Sequence, residues 1–278
     1  MLQVWDKSKP AIFQIVQVGA GANGSVFFRH LLQDINTHWA SQRVREFDID
    51  LTICDADRVE KKNLRNQLYD DEDIGEYKVV ALAERYGTHY GVDVKRVTQY
   101  ITTHEILYKL FYDIKSSVYS IIPILIGMVD NNRTRQLLDE FFHSDYLANL
   151  LYIDAGVEDV DSEGNVESGF GGQIVVGFKY HGEVLLKPVG GVYPNILEDK
   201  DSHFPGQDFG CGELIINNPQ RSATNKMAAE LSGLIMNNLF HTGRLYQHLL
   251  NFNARLGGVR PTYIPQSIVQ RYEQLKNE

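Results

Sequence analysis

Ile12-Phe13-Gln14-Ile15-Val16-Gln17-Val18 runs directly into Gly19-Ala20-Gly21-Ala22-Asn23-Gly24, and Ser25 to Ala40 follows. The first run is apolar and rich in β-branched residues, which predicts a strand. The last carries Val26, Phe27, His30, Leu31, Leu32 and Ile35 at helical spacing, which predicts a helix. A GxGxxG turn between a strand and a helix has a physical use. Its glycines permit a tight turn and close approach of backbone N–H groups to a phosphate, and the helix start adds partial positive charge. On this motif alone, a NAD-dependent oxidoreductase leads.

The same alternation continues outward. Asp48 to Cys54 alternates into Asp55, Lys78 to Tyr90 has helical periodicity, and Val92 to Ile101 reads as extended. Tyr119 to Val129 is strongly apolar, Asn132 to Phe142 is helical, and Leu150 to Ile153 is a further strand. Strands separated by helical crossovers predict an α/β, Rossmann-like, mainly parallel sheet with helices on both faces, whose ligands lie at the C-terminal ends of the strands. After Gly156 the texture changes. Gln173 to Leu186 alternates as an antiparallel hairpin, Lys187 to Arg221 is a long aperiodic crossover loop, and Thr224 to Phe240 is again helical. The expected division is a nucleotide-binding adenylation half over 1–156 and a partner-binding, catalytic-loop half over 157–278, fused into one domain.

Chemistry concentrates beyond the second strand. Asp55 and Asp57 end it, where a carboxylate accepts hydrogen bonds from ribose hydroxyls. Then come Val59, Asn63-Leu64-Arg65-Asn66-Gln67 and Asp73-Ile74-Gly75 with Lys78, and later Asp130-Asn131-Asn132-Arg133-Thr134-Arg135. This ordered set resembles the family of ThiF, MoeB and the ubiquitin-activating enzymes, with its D-x-D-x-V-x-x-x-N-L-x-R-Q, D-I-G-x-x-K and D-N-x-x-x-R elements, over about residues 12–156. Leu64 runs directly into Arg65 where the family has one intervening residue, so the family's arginine is mapped to Arg65; a deletion placed elsewhere would put Asn66 in that slot.

The resemblance implies ATP-dependent adenylation of a carboxylate, most often the C-terminal glycine of a ubiquitin-like or sulfur-carrier protein, with ATP and Mg2+. Under it, Gly19, Gly21, Ala22, Gly24, Asp55, Asp57 and Asn63 bind the nucleotide, with Asp55 on the ribose. Arg65 and Lys78 hold phosphates, and Asp130 positions the metal and the reacting centre. It also implies a homodimer whose sites are completed by a cation from the partner's N-terminal segment. No arginine precedes Arg29, so either Lys7 or Lys9 takes that place or the trans contact is missing. Cys211, flanked by Gly210 and Gly212 in the long segment, stands where ubiquitin-activating relatives place a transfer cysteine and is expected to carry the activated partner as a thioester.

Composition excludes other classes. The 278 residues include 27 Lys plus Arg against 36 Asp plus Glu, a net charge of -9, which disfavours nucleic-acid binding. Tyr119–Val129 is too short to cross a bilayer, and MLQVWDKSKP lacks signal-peptide order, so the cytoplasm is the expected compartment. Two cysteines, Cys54 and Cys211, build neither a disulfide framework nor a cysteine zinc site, and the nine histidines show no ligand pairing. A non-catalytic scaffold with a nucleotide fold stands beside the oxidoreductase as an alternative.

Overall fold

A computed structural model describes residues 1–41, 45–111, 116–161, 164–165, 167–199 and 220–278. The strands are β1 (Leu2–Gln3), β2 (Ala11–Val18), β3 (Phe47–Cys54), β4 (Val94–Val97), β5 (Ser120–Gly127), β6 (Leu150–Val157), β7 (Gly171–Tyr180), β8 (Glu183–Leu186), β9 (Arg244–Leu245), β10 (Gln247–Asn253) and β11 (Gly258–Tyr263). The main helices are α1 (Ala22–Ser41), α2 (Lys78–Leu82), α3 (Thr88–Tyr90), α4 (His104–Tyr108), α5 (Asn132–His143), α6 (Val189–Val192), α7 (Asn195–Glu198), α8 (Ser222–Thr242) and α9 (Gln266–Asn277).

β11-β10-β7-β6-β5-β2-β3-β4 form one sheet, with β8 pairing β7. β4, β3, β2, β5 and β6 run parallel, while β7, β10, β11 and β8 join antiparallel. The chain moves outward from β2 through β3 to β4, then returns to place β5 on the other side of β2. Strand order therefore reverses between β2 and β5, and the crevice above that point is the ligand position such a sheet creates.

Strand alternation divides the core. Phe13 and Ile15 of β2 share one cluster with Leu31, Leu32 and Ile35 of α1 and Met236, Leu239 and Phe240 of α8. Val16 and Val18 point the other way, into a cluster with Leu137, Leu138 and Phe141 of α5. The first layer closes at its base through an aromatic group in which Phe13 meets Trp5, Phe47 and Phe240 edge-on, at 5.6, 5.2 and 5.2 Å between ring centres.

Several local expectations shift. The Lys78–Tyr90 helix is wound as a π-helix over Ala83–Gly87 between α2 and α3, and the extended stretch after Val92 contracts to Val94–Val97. The hairpin expected over Gln173–Leu186 is β7 and β8, turned by His181 and Gly182, both with positive φ as a type I′ turn needs. The β10–β11 hairpin and α9 add to the elements expected from the sequence. Among the described residues, no helix is long and apolar enough to cross a membrane.

Candidate active site

The glycine turn sits at the switch point because nothing larger fits there. Gly19 has φ +102°, and a Cβ on it would run into the Met128 carbonyl at the end of β5; a Cβ on Gly24 would meet the Gly19 carbonyl. Gly21 faces open space. The backbone N–H groups of Gly21, Ala22, Asn23 and Gly24 donate no hydrogen bond among the described residues, as the first turn of a helix dictates. A set of free donors thus faces the crevice beside an unobstructed glycine.

The ends of β3 and α2 add charge. Lys78, 6% exposed at the start of α2, places Nζ 2.8 Å from Asp57 Oδ2, while its N–H donates to the Asp57 carbonyl at 2.9 Å. The Tyr100 hydroxyl, following β4, donates to Asp57 Oδ1 at 2.5 Å. Burial works against the Lys78 charge, but Asp55, Asp57 and Asp130 outweigh it and hold the ammonium above its ordinary range. Burial likewise presses the Asp57 carboxyl upward, but Lys78 and Tyr100 prevail and hold it below its ordinary value. A carboxylate depressed in the folded state contributes stability that is present above its ordinary value of 3.8 and lost as pH falls through the lower folded value. Asp57→Asn should therefore lower stability at pH 7 and flatten its decline below pH 3.8. Urea unfolding followed by fluorescence across pH checks this; equal acid slopes in variant and wild type would refute it.

Asp55 serves differently. Its oxygens accept the N–H groups of Ala20 and Asp57, each at 2.8 Å, so it ties the glycine turn to the end of β3. Burial pushes its carboxyl up, while Lys78 opposes the shift. Asn63 is buried and its side-chain oxygen accepts the Glu60 N–H at 2.8 Å, shaping the 3₁₀ turn over Lys61–Arg65. Arg65 is exposed and its side chain makes no hydrogen bond or ion pair among the described residues; Asn66 beside it is half-buried.

Asp130 is exposed beyond the end of β5, close enough to Lys78 to support its charge. Asn131 caps α5 by accepting the Thr134 N–H at 2.8 Å. Arg135 donates to the carbonyls of Val129 and Ala155 at 2.7 and 3.2 Å, clipping together the ends of β5 and β6.

The parallel edge therefore gathers Gly19, Gly21, Ala22, Gly24, Asp55, Asp57, Lys78 and Asp130. Lys7 and Lys9 lie at the other edge, separated from the turn by the eight residues of β2, roughly 25 Å. Lys7 pairs with Glu46 at 2.7 Å and Lys9 donates to the Ser117 carbonyl at 3.3 Å, so neither reaches its own chain's site. Cys211 lies outside the described residues. Cys54 is buried and its thiol is pushed up by burial and by Asp55, consistent with a core residue. Tyr100 went unread because no local pattern links it to a residue 43 positions away.

Among solved structures, PaaA matches with a TM-score of 0.58 and 14% identity, covering 93% of this chain and 65% of that one. E. coli MccB with AMPCPP and MccA gives 0.55 and 14%, covering 93% and 64%. E. coli MccB with ATP gives 0.53 and 17%, covering 94% and 65%. The chain spans just under two thirds of the length of these proteins, and the likeness is one of fold. No curated protein matches the sequence. The ThiF family matches residues 11–187, from the first strand of the parallel sheet through the glycine turn, Lys78 and Asp130 to the β7–β8 hairpin, and the chain belongs to that family.

Proposed function

We propose that this protein joins a carboxylate to the α-phosphate of ATP, with Mg2+. The observation that carries the reading is the buried Lys78 ammonium on the same strand edge as the four free N–H donors of the glycine turn. A carboxylate and a triphosphate repel each other, so a site that joins them must supply positive charge and hold the groups in line. A nicotinamide oxidoreductase needs the glycine turn but not this cation. The ThiF family membership and the presence of ATP with MccB support the same direction.

The residues present fit the nucleotide. The N–H array and the open side of Gly21 would receive phosphate oxygens, Lys78 would neutralise them, and Asp57 would accept from ribose once Lys78 turns to the phosphates. Asp55 is committed to the turn, so its part is to hold the cradle. Among the described residues, no three His, Cys, Asp or Glu side chains cluster to hold a metal by themselves. Asp130 would supply one carboxylate to Mg2+, which takes few protein ligands when phosphate oxygens and water complete its shell. The bound ion would neutralise charge on the phosphates. A carboxylate oxygen of the acyl substrate forms the new bond to the α-phosphorus, the bond to the bridging oxygen breaks, and pyrophosphate leaves with the electron pair.

The acyl substrate on this reading is the C-terminal glycine of a ubiquitin-like or sulfur-carrier protein, received by residues 157–278, and the enzyme is a cytoplasmic homodimer. Cys211 would then take the acyl group, its thiolate attacking the carbonyl carbon as AMP departs. Exchange of labelled pyrophosphate into ATP, dependent on a partner ending in Gly-Gly, tests the adenylation. Absence of both ATP binding and exchange would defeat it. A thiol-sensitive adduct lost in Cys211→Ala, with exchange retained, tests the transfer.

A further inference from the structure

β2 buries two amides, Gln14 and Gln17, and it is Gln17, at the end next to the glycine turn, whose partners bear on the site. It lies in the middle of a parallel sheet with no exposed surface, on the face shared with Phe13 and Ile15, where an aliphatic side chain would pack without polar cost. Its Oε1 has no hydrogen-bond partner. Its Nε2, in contrast, donates twice, to the Gly19 carbonyl at 2.9 Å and to the Gly24 carbonyl at 3.0 Å. The orientation follows from those acceptors, because a flipped amide would set its oxygen against two carbonyl oxygens. One side chain therefore ties both ends of the glycine turn from beneath.

The middle of the turn is held from the other side. The Tyr69 hydroxyl donates to the Ala20 carbonyl at 2.6 Å, and Asp55 accepts the Ala20 N–H. The tyrosine is itself fixed, since the neighbouring Leu68 N–H donates to Ser25 Oγ at 3.2 Å and Arg85 donates to the Leu68 carbonyl at 3.2 Å. Burial, together with Asp55, Asp73 and Asp57, pushes the Tyr69 phenol well above its ordinary range, so it remains a donor at neutral pH. The carbonyls of Gly19, Ala20 and Gly24 are thus all drawn away from the crevice, while the N–H groups of Gly21, Ala22, Asn23 and Gly24 stay free.

We infer that Gln17 and Tyr69 are positioning residues that preorganise the glycine turn as a phosphate cradle, by holding its carbonyls inward so that only N–H donors face the ligand. A peptide plane presents its oxygen opposite its N–H, so an untied Ala20 carbonyl could rotate toward an anion and turn the Gly21 N–H away, while untied Gly19 and Gly24 carbonyls would free the two ends between which the other donors are held. Tying them removes that alternative before the ligand arrives. This inference rests on the reading of the site as one that binds ATP.

The test separates phosphate recognition from folding and from nucleoside recognition. Gln17→Met keeps the length and removes the donor; Tyr69→Phe removes one oxygen and is the milder change. Calorimetric titration with ATP and, separately, with adenosine reads the two parts of the ligand, and thermal unfolding reports on the fold. The expected result for each variant is ATP affinity weakened roughly five- to tenfold with adenosine affinity unchanged. Unchanged ATP affinity in both variants overturns the inference, as does a parallel loss for ATP and adenosine, which would mark a purely structural role. If Gln17→Met does not fold, Tyr69→Phe decides alone by the same criteria. If the wild type binds adenosine but gains nothing from the phosphates, the cradle is refuted while the nucleoside site stands. If it binds neither, the ATP reading itself fails and the inference with it.

Discussion

Gly19→Ala should abolish pyrophosphate exchange and measurably destabilise the protein, whereas Gly21→Ala should leave stability unchanged. At position 19 two penalties combine. The backbone has φ +102°, where an L side chain is strained by about 1–3 kcal/mol, and the new methyl would enter the Met128 carbonyl at the end of the neighbouring strand. Relief requires β2 and β5 to part at the switch point, which also moves the turn. A displacement of about 1 Å at a reacting centre is enough for roughly a hundredfold loss of rate. Gly21 has neither a strained φ nor a neighbour within 4 Å, so its methyl would meet only an incoming ligand. Urea unfolding and pyrophosphate exchange, measured on both variants, separate the two effects. Native-like stability and full exchange in Gly19→Ala would show that the turn neither needs its conformation nor binds nucleotide.

The second large effect is expected at Lys78. Lys78→Ala should lower exchange by about a hundredfold or more, because a preorganised charge in a partly desolvated site is lost where negative charge is brought together. It should also cost stability, since Asp57 is left without its counter-charge. Asp57 is 41% exposed at its side chain, so water replaces part of the lost pairing and the cost is about 1–2 kcal/mol, below the 3–5 typical of a fully buried pair. The double variant Lys78→Met, Asp57→Asn removes both charges and should recover much of that stability without recovering exchange. Asp130→Ala isolates the same chemistry without the structural cost, because Asp130 is exposed; its exchange rate should fall by about a hundredfold while its unfolding midpoint stays put. Wild-type exchange in both single variants, with the correct partner present, would remove these residues from the reaction.

What the sequence determined by itself is the part of the molecule written in short-range order. An apolar β-branched run, a glycine turn and a 3.6-residue periodicity lie side by side, so β2, the turn and α1 are legible from residues 12–40 alone. The same holds for β5 and β6, which in a sheet covered on both faces are nearly continuous apolar runs, for β3 through its alternation, and for α5 through its helical periodicity. Asp55 and Asp57 are legible as carboxylates at the C-terminal end of a strand, the ligand edge of such a sheet, whereas Lys78 and Asp130 are singled out only by their place in the motif order that resembles the ThiF family.

Only the tertiary structure decided how those groups divide their work. Asp55 turns out to brace Ala20 from 35 positions away, and Asp57 is held by Lys78 and Tyr100 from 21 and 43 away. Asn63 is drawn into its own turn, and Arg65 is left exposed. Gln17 reads in sequence as a polar interruption of a strand, and becomes a brace only when the turn folds back so that Gly19 and Gly24 both present carbonyls to it. Periodicity records which face a residue occupies, because that depends on its immediate neighbours. Hydrogen-bond partners are set by which strand ends and loops the sheet order brings together, and that order is fixed by the packing of the whole core.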